Sequence, residues 1–64
     1  MEERVLKFKY TKDTSKYIAD IKFCNGRVKE TVKHDKIGVY ITIEEPYGFM
    51  QKFRDTRSSA FLLN

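Results

Sequence analysis

Apolar side chains recur here mostly at every second position, and that spacing constrains the fold more than any other feature of the 64 residues. In VLKFKY, Leu6, Phe8 and Tyr10 alternate with Lys7 and Lys9. In KYIADIKF, Tyr17, Ala19, Ile21 and Phe23 alternate with Ile18, Asp20 and Lys22. In KIGVYITIE, Ile37, Val39, Ile41 and Ile43 alternate with Gly38, Tyr40, Thr42 and Glu44. In GFMQKFR, Phe49 and Phe53 share one side, and Met50, Lys52 and Arg54 the other. Successive side chains of a strand point to opposite faces, so alternation in runs rich in β-branched and aromatic residues predicts half-buried strands.

The residues between these runs fit the same pattern. TKDTSK, residues 11–16, reads as a polar loop, and HDK, residues 34–36, as a turn. Asn25-Gly26 between two alternating runs is the strongest short hairpin signal, because a type I′ turn needs positive φ at both positions. In EPYG, residues 45–48, the proline suits a type I turn and the glycine a left-handed position closing a hairpin loop. Gly38 inside a strand marks a bulge, a bend or the close approach of another backbone. The end of the chain stays open: residues 55–63 form either a short helix capped by Asp55 or a further strand. These readings predict one all-β domain over residues 1–64, an antiparallel meander of five or six strands, curled or closed into a small barrel, with or without a short C-terminal helix.

Composition narrows the function classes. At 41% hydrophobic and 34% charged, the chain can fold but carries a strongly charged surface. One cysteine forbids an intrachain disulfide, and with a single histidine the chain is not expected to bind a metal or a cofactor. No run approaches the ~18 apolar residues of a membrane span, and MEERVLKFKY lacks a signal-peptide core. A cytoplasmic location is expected. Catalysis is not. In a hairpin closed at Asn25-Gly26, Cys24 and His34 lie about 23 Å apart at ~3.3 Å per residue, too far for a nucleophile and its base. Ser58-Ser59 lacks a nearby base, and no glycine-rich phosphate loop is present.

The register of that hairpin sets Phe23 opposite Val28, Ala19 opposite Val32, Lys22 opposite Lys29, and Ile21 opposite Glu30. Glu30 then falls on the apolar face, a blemish in the pattern. Carried to the other strands, the same parity gathers Lys7, Lys9, Lys22, Arg27, Lys29, Lys33, Lys52 and Arg54 on one outward face beside Tyr40, against only Asp20 and Glu44. Such a face suits nucleic acid, single-stranded rather than duplex, with cations on phosphates and Tyr40 stacked on a base. The alternative is a protein-interaction module: a small regulator or inhibitor docking on a larger partner through an acidic surface, or a homodimer. Val5, Ile18, Tyr40 and Met50 would then supply its apolar contacts.

Overall fold

The computed structural model describes residues 2–34 and 38–56. Strand β1 (Glu2–Phe8) leads through a 3₁₀ turn at Thr11–Asp13 into helix α1 (Thr14–Phe23). Strands β2 (Arg27–His34) and β3 (Gly38–Glu45) follow, and helix α2 (Phe49–Thr56) comes last. β3 lies between β1 and β2 and runs antiparallel to both. β1, α1 and β2 therefore form a split β-α-β unit, with β3 inserted between its two strands.

This α+β layout overturns the expected all-β meander of five or six strands. KYIADIKF is helix, not strand, and so is GFMQKFR from Phe49 onward. TKDTSK is not a free loop either, since it contains the 3₁₀ turn and the first residues of α1. The physical reason lies in the spacing of a few residues. Tyr17 and Ile21 are four apart, as are Phe49 and Phe53, and a spacing of four satisfies both a period of two and a period of 3.6. What separates the periods is the residue halfway. Ala19 is exposed and Phe23 is 68% exposed, whereas Thr14, Tyr17, Ile21 and Cys24 are buried at helical intervals.

The Asn25-Gly26 pair has a second use that explains its misreading. Asn25 has the expected positive φ of 66°, but it ends α1 instead of joining two strands. The Gly26 amide donates to the Ile21 carbonyl at 2.9 Å and the Asn25 amide to that of Lys22 at 3.0 Å. Those two bonds define a Schellman cap. A Cβ at Gly26 would come within 2.7 Å of the Ile21 side chain and 2.8 Å of the Phe49 ring, so the glycine lets α2 close over the end of α1. Gly48, at φ 80°, occupies the expected left-handed position but opens α2, not a hairpin strand.

β1 and β3 do alternate as expected. Leu6, Phe8, Val39, Ile41 and Ile43 turn inward beneath both helices. There Phe8 stacks on Tyr17 with ring centroids 4.1 Å apart, and Phe53 meets Phe8 edge-on while stacking on Phe49. Ile18, Val28 and Met50 pack against the margin of this core. Gly38, at φ 100°, sits so near β1 that an added Cβ would lie 1.8 Å from the Phe8 carbonyl oxygen. Of the meanings open to a strand glycine, close backbone approach is the one realised. Of the proposed turn at residues 34–36, His34 ends β2 and residues 35 and 36 lie outside the described residues, as does the helix-or-strand question beyond Thr56.

Candidate interaction face

Both helices cover one side of the sheet, so the other side is built from the residues that alternate with the core. On β3 these are Tyr40, Thr42 and Glu44. The register lays their neighbours out in three rows: Glu3, Glu44 and Arg27; Val5, Thr42 and Glu30; Lys7, Tyr40 and Val32. His34 extends the last row's end, opposite Gly38. A register shift between Val28 and Glu30 is a bulge in β2, and it flips the alternation of that strand. The bulge removes the blemish of the sequence reading. Glu30 goes to the open face, where it is exposed, and Thr31 takes its place opposite Ile41. Val32, expected inside, is 39% exposed outside.

One end of the face is a charge quartet. Glu3 and Glu44 stand directly opposite each other, which alone would be unfavourable. Lys29, released from the ladder by the bulge, reaches Glu3 with Nζ 3.0 Å from Oε2, and Arg27 meets Glu44 at 3.4 Å. The hydrogen bond to Glu3, the charge of Glu3 and then that of Glu44 raise the Lys29 ammonium above its ordinary pKa. At the same end, on the helix side, Arg4 binds the Glu45 carboxylate through both Nε and Nη2, and that bond raises its pKa likewise.

The other end is aromatic, and no carboxylate stands there among the described residues. The Tyr40 ring lies 4.7 Å from the His34 ring, and Lys7 Nζ stands 5.3 Å from the Tyr40 centroid, within cation–π range. Val5, 48% exposed, and Val32 border this spot. Among the described residues one surface hollow lies beside Gln51, Arg54 and Asp55 and another beside Glu2, Glu45, Pro46, Tyr47 and Gly48.

The expected eight-cation face is thus divided. Lys7, Arg27 and Lys29 lie on the open face with Tyr40, and the second and third are paired with carboxylates. Lys9 follows the end of β1. Lys33 is exposed opposite Val39, on the parity of the helix side. Lys22 is in the last turn of α1, and Lys52 and Arg54 are on α2, with Lys52 Nζ 5.4 Å from the Phe23 ring. Two of the isolated apolar residues, Val5 and Tyr40, do share the open face; Ile18 and Met50 belong to the core margin instead.

Sequence reasoning missed His34 and Val32 as members of this face, because only the bulge reveals their side. Cys24 is buried on the helix side, its Sγ 3.7 Å from Thr56 Oγ1, across the sheet from His34. Among the described residues no three His, Cys, Asp or Glu side chains converge as a metal site, and no helix is long and apolar enough to cross a membrane. Comparison with protein-family models, with curated proteins and with solved structures returned no match.

Proposed function

We propose that the chain is a non-catalytic protein-binding module whose contact surface is the open face of the sheet. The observation that carries this reading is the self-neutralised charge of that face: Lys7, Arg27 and Lys29 stand against Glu3, Glu30 and Glu44. A phosphate-binding platform gains affinity by releasing counterions from the nucleic acid, and cations already held by carboxylates contribute little to that release. Tyrosine, valine and histidine bordered by paired charges instead suit the core and rim of a protein interface. A small regulator that docks on a larger partner, or on a second copy of itself, fits this surface. A reducing, cytoplasmic setting suits its one buried thiol.

The test compares two kinds of ligand on the same variants. Partners captured by the intact chain should be lost from Val32→Glu and Tyr40→Ala, yet retained by Lys52→Glu on α2. Fluorescent single-stranded oligonucleotides should bind weakly, with a shallow dependence of log affinity on log salt. A steep dependence, approaching a slope of about −0.7 for each phosphate neutralised, would favour a single-strand nucleic-acid platform centred on Tyr40 and Lys7 and overturn the protein reading.

A further inference from the structure

The two edges of the sheet are built differently. β2 is interrupted by its bulge, and a bulge is one of the devices by which proteins blunt an exposed edge. β1 has none. Its seven residues pair with β3 in an unbroken register from Glu2 to Phe8, and among the described residues no strand covers its other edge. Five of the seven, Glu2, Glu3, Arg4, Val5 and Lys7, are exposed.

From this edge we infer that the partner of β1 is β1 of a second copy of the chain, in antiparallel pairing about a two-fold axis at Val5. The inference goes beyond the protein-binding reading of the open face, because it engages the edge of β1 and leaves that face uncovered. Val5 is the midpoint of the strand, so an axis there pairs the whole of Glu2–Phe8 with its symmetry mate. That register sets Val5 against Val5, and Glu3 of each copy against Lys7 of the other, on the open face. On the helix side it sets Arg4 against Leu6. A shift of the axis by one residue in either direction is worse. Centred on Arg4 it opposes two guanidinium groups; centred on Leu6 it opposes Val5 to Lys7 and pairs only Arg4 to Phe8 of the strand, with Glu3 set against Lys9 beyond its end. Full-length pairing selects the register at Val5, and its charges agree with it, since each Glu3 meets a Lys7 within the strand. The charges do double duty, because a row of mixed charge repels unrelated strands while matching its own reverse.

Joined this way, two three-stranded sheets become one six-stranded sheet, with all four helices on one side and a continuous open face on the other. The interface is isologous, as a two-fold axis requires. Two edge strands and their flanking side chains fall at the low end of interface size, under about 1,200 Å², so the association is weak and concentration-dependent.

The test is sedimentation equilibrium of the full chain with charge-swapped variants at two exposed positions. The intact chain should show a monomer–dimer equilibrium. Glu3→Lys or Lys7→Glu alone sets like charges opposite each other twice per dimer and should weaken self-association on the order of tenfold. An equimolar mixture of those two variants should regain it, because in the heterodimer each new lysine faces a glutamate. The double variant Glu3→Lys/Lys7→Glu should also regain it. A chain that stays monomeric up to about 1 mM, at the weak end of specific affinities, would overturn the inference. So would single variants that associate as tightly as the intact chain, or a mixture that does not recover. Val32→Glu lies on the far strand and reports on the open face alone, so loss of the dimer and loss of the protein-binding reading are seen separately.

Discussion

At the residue scale, Gly38 shows how one missing side chain sets a strand pairing. Its φ of 100° is a conformation that L side chains rarely adopt, and its Cβ position is taken by the Phe8 carbonyl oxygen. Gly38→Ala should cost at least about 3 kcal/mol, since backbone strain adds to a collision with backbone that no rotamer can relieve. Urea denaturation measures this directly, and a loss below about 1 kcal/mol would mean that the two strands separate easily at that end. The sequence marked Gly38 as exceptional without deciding among a bulge, a bend and the close approach of another backbone, and the last is what the structure has. Asn25 was read with the correct conformation and the wrong neighbour, whereas Gly26 lacks the positive φ that a type I′ turn requires. Positive φ at Asn25 is common to a hairpin turn and a helix cap, so that residue reports its own backbone and not what precedes it.

At the element scale, β1 and β3 were readable because a strand with one face buried has no other way to place Leu6, Phe8, Val39, Ile41 and Ile43. The helices were not. Each contributes only two large inward residues four apart, and Ile18 and Phe23 add β-branched and aromatic character on sides that a helix leaves half-buried or bare. β2 was placed correctly, but its bulge has no glycine or proline to announce it. That hidden shift decides the candidate face, since it brings Val32 and His34 outside and frees Lys29 to cross the sheet. The Lys29–Glu3 contact can be checked by pH. A lysine whose folded pKa is raised contributes fully below the unfolded value, and loses that contribution as pH rises through the folded one. Its window is therefore alkaline. In Glu3→Gln the Lys29 titration followed by side-chain NMR should move down toward that of an ordinary lysine. A midpoint unaffected by Glu3→Gln would show that the two side chains do not meet in solution.

For the whole molecule, the sheet divides the tasks. One side carries nearly all the apolar burial, and the other carries the surface offered to partners. A chain of this length has a total stability of roughly 3–10 kcal/mol, at ~0.05–0.15 kcal/mol per residue. Truncating one fully buried ring costs about 3–5 kcal/mol, which is most or all of that. Phe53 touches both Phe8 and Phe49, so it ties α2 to the sheet and to its own first turn. Phe53→Ala should therefore abolish the cooperative thermal transition, or bring it near room temperature, while Phe53→Leu keeps a lowered one. Val32→Glu, across the sheet, should move Tm by only a few degrees, because about 1 kcal/mol corresponds to roughly 4–8 °C in a domain this small. Scanning calorimetry on the three variants tests the division itself. If Val32→Glu unfolds the chain as readily as Phe53→Ala, the open face is part of the core of a larger assembly, and folding and association are a single event.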